Sequence, residues 1–295
     1  PVAMLLLDPA RHVVLANLAA RKLLGEGRRL EGHGFDALLA AAPPAMRDAF
    51  ERAAQTKQTD SIRTLIVFFD GLRPDYITAE GMPNLYAFSK KASYGKAHHS
   101  VFPTVTRVNA TSYATGSYPG THGLMGNSVY FPQVSTTKSL NTGDASELNA
   151  ISKALDGHLL TAVSLGEVLK QHGKDMMVFS SGTTGQALMQ NHTVSGAVIN
   201  PAMILPESIK EKVIAEVGTI PAAAKPNTAR HAWITNALMK YGLRLDGPLV
   251  SAIWFSDPDG TAHSDGIGSP TAVASIKSVD EQFGRILAAI EAKGF

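Results

Sequence analysis

A chain of 295 residues with 27 Lys and Arg against 25 Asp and Glu has a formal charge of only +2, too little to track a nucleic-acid backbone or hold an anionic membrane surface. The complete lack of cysteine excludes disulfides, thiolate nucleophiles, iron–sulfur clusters and Cys-type zinc sites, so any metal must be held by carboxylates, imidazoles or hydroxyls. A hydrophobic content of 44% suits a globular chain of one large α/β domain or two ordinary ones, and no apolar run is long enough to span a bilayer.

The apolar opening Pro1-Val2-Ala3-Met4-Leu5-Leu6-Leu7-Asp8 is short, with neither a basic n-region nor a cleavage pattern. It reads as a strand and not as a signal peptide, and the location expected from this is cytoplasmic. Val2–Leu7 is a strand, 8–11 a turn and His12–Ala16 a second strand. Asn17 caps an Ala/Leu-rich helix over Leu18–Leu24 that Gly25 ends. Ala37–Ala54 reads as helical, interrupted at Pro43-Pro44. This strand–turn–strand–helix order resembles the first half of a PAS sensor domain, whose later strands residues 1–58 lack. A small α+β fragment is therefore expected over 1–58, with the polar Gln55–Asp60 as the boundary.

From Ser61 the pattern becomes alternating α/β, one unit over 61–295. Leu65–Phe69 is a continuous apolar strand of the buried parallel type, ended by Asp70-Gly71. Helices are expected over Pro83–Ala92 and from Thr106 to Thr115-Gly116. Leu165–Gly173 is an amphipathic helix, and Met176–Phe179 a strand running into Ser180-Ser181-Gly182. Ser195–Lys225 has weak periodicity and reads as an excursion near the substrate. Thr228–Tyr241 is helical, Leu249–Phe255 a strand and Val273–Ala292 a long helix. Its apolar positions Ile276, Val279, Phe283, Ile286, Leu287 and Ile290 share one face. The fold class is α/β, with a mostly parallel sheet covered by helices on both sides and ligands at the C-terminal strand ends.

Three segments carry chemistry. In Phe69-Asp70-Gly71 a carboxylate closes a buried strand, where metal ligands of open α/β sheets collect, although Asp before Gly is also an ordinary turn cap. In Pro103-Thr104-Val105-Thr106-Arg107-Val108-Asn109 a hydroxyl stands at a helix start, able to meet a phosphoryl group at the positive end of the dipole or merely to cap the helix. In Ser256-Asp257-Pro258-Asp259-Gly260-Thr261-Ala262-His263, Asp259 and His263 stand one helical turn apart and can converge on one ion, through a helix or a compact loop. Asp257 is the weaker ligand candidate.

Together and in this order, strand–D-G, P-T-x-T-x-x-N, T-G-x-x-P-x-x-H-G and P-D-x-x-x-H followed by G-x-G-S-P resemble the nucleotide pyrophosphatase/phosphodiesterase branch of the alkaline phosphatase superfamily. The resemblance covers about residues 62–294, including "MPNLYAFSK", "SLGEVLKQHGK" and "VDEQFGRIL". It implies a two-metal hydrolase of phosphodiester or pyrophosphate bonds acting on a small, nucleotide-like phosphoester, with no nucleic-acid or membrane partner. Thr106 would be the nucleophile and, with Asp70, a ligand of one ion; Asp259 and His263 would ligate the other. Asn109 would give its amide to a non-bridging phosphoryl oxygen. Carboxylate and imidazole donors suit zinc, with manganese the alternative. A metal-activated Thr106 would form a phospho-threonine that water then hydrolyses.

Many relatives read T-F-P-N where this chain has Thr106-Arg107-Val108-Asn109, which alters the pocket lip. His122 matches the H-G turn and reads as structural; Asp280 is expected to make a buried helix–loop hydrogen bond. The resemblance also implies a further strand ending in Asp-His-Gly and a later His. No Asp-His dipeptide occurs here, so a C-terminally truncated unit with an incomplete site and impaired activity is expected. Alternatives are a phosphonoacetate-type C–P hydrolase and a non-catalytic PAS-linked sensing protein.

Overall fold

The computed structural model describes residues 5–7, 10, 12–16, 18–40, 47 and 63–294. The sequence-based boundary at 55–60 and most of the helix expected over 37–54 lie outside these residues. Strands β1 (Leu5–Leu7) and β2 (Val13–Ala16) form an antiparallel hairpin, followed by α1 (Leu18–Gly25) and α2 (Phe35–Ala40). Val13, Ala16 and Leu30 make a small core with Leu24 and Leu38.

The larger unit is built on β3 (Thr64–Phe69). Helices α3 (Pro83–Ser89), α4 (Thr106–Thr115) and α5 (Pro119–His122) follow. A small antiparallel pair, β4 (Ser128–Val129) and β5 (Leu140–Asn141), leads to α6 (Ala145–Ala154) and α7 (Leu165–Gln171). Then come β6 (Met176–Ser180), α8 (Thr184–Gln190), β7 (Gly196–Asn200), β8 (Met203–Leu205) and α9 (Lys210–Val217). Helix α10 (Thr228–Ala237) runs into a π turn at Leu238–Gly242, and β9 (Val250–Phe255), α11 (Asp259–Asp265) and α12 (Pro270–Lys293) complete the chain.

The main sheet has the order β3-β9-β6-β7-β8, parallel except for the antiparallel β7–β8 pair. Its strands read as unbroken apolar runs because both faces are covered. Phe179, Ile199, Ile253 and Phe255 pack against Trp233, Ile234 and Leu238 of α10 and its extension, and against Ile276, Val279 and Ile286 of α12. Their neighbours one step along, Val178, Val198 and Ala252, face Tyr113 and Ala114 of α4, Leu169 of α7 and Ala187 of α8. That alternation is the two-residue period of a strand, and burying both faces is the main favourable term of the fold.

Two expectations change. Ser195–Lys225 is no excursion: it supplies β7, a nearly fully buried sheet strand, then β8 and α9. On α12, Ile276, Val279, Phe283 and Ile286 are buried and Ile290 packs at the edge of the core, whereas Leu287 lies outside it. Asp280 accepts from the backbone N–H groups of Asn84 (3.0 Å) and Leu85 (2.8 Å), satisfying orphan donors in the first turn of α3. Among the described residues no helix is long and apolar enough to cross a membrane.

Candidate active site

The parallel strands β3 and β9 pair with Phe69 opposite Phe255, so the residues that follow them emerge together at the C-terminal sheet edge. Asp70 leaves β3, and Asp259 opens α11 just beyond β9. The two are stitched by a backbone hydrogen bond, Asp259 N–H to Asp70 O, of 2.9 Å. Gly71 has φ +71°, and a Cβ there would stand 2.8 Å from the Asp259 Cα. Only glycine permits both the left-handed turn and this approach.

Thr106 is the first residue of α4, and its Oγ1 donates to Asp70 Oδ2 at 3.4 Å. Trp254 Nε1 donates to the same oxygen at 3.2 Å, its ring stacked on Phe68 with centroids 4.5 Å apart. Burial first, and then the adjacent Asp259 charge, push the Asp70 carboxyl up to about 7 against these lowering hydrogen bonds. Asp259 and His263, one turn apart on α11, lie 3.4 Å apart, with the imidazole largely exposed. All four donors therefore gather at one sheet edge, Asp70 with Thr106 and Asp259 with His263.

Asp257 turns the other way. It is buried, accepts from the Asn227 N–H at 2.9 Å and lies 3.6 Å from the buried His231 Nε2, in the body of the fold. Burial lowers His231 to about 4 and, as the leading cause, raises Asp257 above the ordinary carboxylate value. His122 is likewise fully buried, and burial lowers it to about 4. Its Nδ1 accepts from the Leu124 N–H at 3.2 Å, so Nε2 carries the proton and donates to Ser112 Oγ at 2.9 Å.

Asn109, which the resemblance assigns to a phosphoryl oxygen, has its amide engaged within the chain here. Its Oδ1 accepts the Val101 N–H at 2.9 Å, and its Nδ2 donates to the carbonyls of Val105 (3.1 Å) and Pro103 (3.4 Å). The amide is committed to the loop before α4 and is absent from the cavity wall. Asn127, which the sequence reading did not single out and which is also off the cavity wall, accepts the Arg107 N–H on its Oδ1 at 3.2 Å, and this holds its amide beside the start of α4. It stands shortly after the His122-Gly123 turn, and no local pattern marks it.

A cavity of about 620 Å³ opens over this edge. Asp70, Thr106, Arg107, Ser256 and Asp259 form one side. The others come from Asn141, Gly143 and Asp144, from Ser181 to Thr184 at the end of β6, and from Asn200 and Arg230. The donor set suits hard or borderline divalent cations: two adjacent carboxylates, the charge of Asp259 raising the proton affinity of Asp70, with a hydroxyl and an imidazole. Among the described residues no group of three or more His, Asp or Glu converges as a metal site.

A family model described as type I phosphodiesterase / nucleotide pyrophosphatase matches residues 64–295. Over 81 residues the chain is 35% identical to ectonucleotide pyrophosphatase/phosphodiesterase family member 1 of Homo sapiens, covering 27% of this chain and 9% of that protein. Over 68 residues it is 40% identical to bis(5'-adenosyl)-triphosphatase enpp4 of Mus musculus, covering 23% and 15%. Two solved structures share the fold. One is phosphonoacetate hydrolase from Sinorhizobium meliloti 1021 in complex with phosphonoacetate, with TM-score 0.57, 21% identity, and 77% of this chain and 54% of that one covered. The other is murine ectonucleotide pyrophosphatase/phosphodiesterase 5 in complex with AMP, with TM-score 0.55, 19% identity, and 78% and 52% covered. The chain thus spans about half the length of these structures and far less of the curated relatives.

Proposed function

The chain belongs to the type I phosphodiesterase/nucleotide pyrophosphatase family, and from that premise we propose that it hydrolyses a small phosphoester, nucleotide-like in its phosphate chemistry, through Thr106. The observation that carries this is the Thr106 hydroxyl at a helix start, 3.4 Å from Asp70 Oδ2 and on the wall of the cavity. Asp70 and Thr106 would hold one divalent ion and Asp259 and His263 another, zinc or manganese. When bound, such ions supply the Lewis acidity that makes a hydroxyl nucleophilic near neutral pH and offset the charge that builds on phosphoryl oxygens.

The residues do the remaining work. Asp70 Oδ2 accepts the Thr106 hydroxyl and holds Oγ1 at the mouth of the cavity. As the Oγ1–P bond forms, the bond from phosphorus to the leaving oxygen breaks, and the product is a phospho-threonine that water hydrolyses. Asn127, its Oδ1 held by the Arg107 N–H, keeps Nδ2 as a fixed donor for a non-bridging oxygen and takes the role first expected of Asn109.

The test is Thr106→Ala beside Thr104→Ala in zinc-supplemented full-length protein with bis(p-nitrophenyl) phosphate. Thr106→Ala should lower kcat by about three powers of ten or more, over ~4 kcal/mol of barrier. Thr104, exposed and off the cavity wall, should cost less than about tenfold. A Thr106→Ala variant within tenfold of the parent would rule the nucleophile out.

A further inference from the structure

We propose that Arg107 is the specificity-determining residue of this cavity, where its guanidinium reads a second anionic group of the substrate, a phosphate or a carboxylate next to the phosphorus attacked. The inference rests on the proposed hydrolase reading and names what that site prefers.

Arg107 follows Thr106 on α4, so its side chain leaves the helix about 100° around from the hydroxyl. The guanidinium lies against Gly143: a Cβ there would come within 2.2 Å of Nη2 and 2.9 Å of Cζ. It therefore reaches the wall formed by the loop after β5, and both residues line the cavity. Among the described residues it makes no ion pair and no side-chain hydrogen bond, and its Nε is buried without an acceptor. Asp70 and Asp259 lie within its electrostatic reach but beyond ion-pair distance. A fork of donors, desolvated on one side and facing a cavity, is built to take an anion with paired oxygens.

The rest of the wall agrees. None of its residues is aromatic, so nothing on it stacks a base or an aryl group. Its other cation, Arg230, has Nε committed to the Pro221 carbonyl at 3.0 Å, which leaves Arg107 as the free fork nearest the nucleophile. A substrate whose phosphorus sits at Thr106 and whose neighbouring group is anionic would satisfy both Thr106 and Arg107. A monoester or diester of uncharged alcohols, with no second anionic group, would leave the guanidinium unpaired.

The test is isothermal titration calorimetry on the zinc-supplemented full chain with three probes: inorganic pyrophosphate, 2-phosphoglycolate and methyl phosphate. The first two carry a second phosphate or a carboxylate, and their relative affinities tell those sources apart. At least one of them should bind roughly 10- to 100-fold more tightly than methyl phosphate. Arg107→Gln should reduce that advantage to within about threefold, and Arg107→Lys should restore only part of it. Gly143→Ala keeps the charge but displaces the guanidinium, and should shift the preference the same way, which covers the case in which Arg107→Gln fails to fold. Equal weakening of all three probes, or an advantage that survives both Arg107→Gln and Gly143→Ala, would overturn the assignment. Thr106→Ala should keep the preference, so loss of the nucleophile reading and loss of the Arg107 reading give different results.

Discussion

Replacing Asp70 by Asn should make the metal-free protein more stable at pH 8 while weakening its response to zinc. Asp70 has an ordinary carboxylate pKa near 3.8 and is pushed to about 7 in the fold, first by burial and then by Asp259. Because the folded value is raised, the contribution is fully present below about pH 3.8 and is lost as pH rises to about 7. The difference of about three units corresponds to ~4 kcal/mol. Asp70 is mostly but not fully buried, so solvent screening reduces this to about 2–3 kcal/mol. Asn keeps an oxygen for Trp254 Nε1 and the Thr106 hydroxyl but cannot ionise, so that loss disappears. The assay is urea unfolding followed by circular dichroism in chelator, at half-unit steps from pH 4 to 8. The wild type should lose stability across this window relative to Asp70→Asn and fall about 2–3 kcal/mol below it at pH 8. Added zinc should close most of this gap, because the site that includes Asp70 stabilises the wild type by about 2.7 kcal/mol more than the variant at a hundredfold excess over its Kd. An Asp70→Asn variant less stable than the wild type at pH 8 in chelator, or equally stabilised by zinc, would refute the reasoning.

Gly71→Ala should cost about 1–3 kcal/mol in urea unfolding, because it forces a side chain into positive φ and against the Asp259 backbone, and zinc titration should weaken with it. Asn109→Ala should lower stability by about 1–3 kcal/mol, since the buried Val101 N–H loses its acceptor, whereas Asn127→Ala should lower kcat by about 10- to 100-fold with a smaller change in unfolding midpoint. Equal kinetic losses in the two variants would remove the distinction drawn between them. Chelation should abolish hydrolysis in the full-length protein, and zinc or manganese should restore it.

The sheet was legible where strands are buried on both faces. Leu65–Phe69, Met176–Phe179 and Leu249–Phe255 read as unbroken apolar runs and are β3, β6 and β9 within a residue or two. Gly196–Asn200 obeys the same rule but is short, begins on glycine and ends on asparagine, so β7 was lost in an aperiodic stretch. At the site, residues fixed by strand ends were readable, because parallel pairing must bring Asp70 and Asp259 out together. Residues fixed by side-chain direction were not. Spacing placed Asn109 one turn from Thr106, but the unpaired Val101 N–H and the loop carbonyls beside it capture the amide. Asn127 and the free Arg107 fork depend on how distant loops fold over the start of α4, which periodicity does not report. Gly71 was readable only as a turn residue; its second duty, making room for Asp259, needs the neighbouring strand.

The most direct measurement is to quench full-length, zinc-supplemented protein during turnover of a phosphate diester with acid and locate the phosphate on its peptides by mass spectrometry. A phosphoryl group on Thr106, absent from Thr106→Ala and still present on Thr106 in Thr104→Ala, is the result the account predicts. Rapid turnover with no phosphate on any peptide, or with phosphate on Thr104, Thr111 or Ser256 in its place, would contradict it.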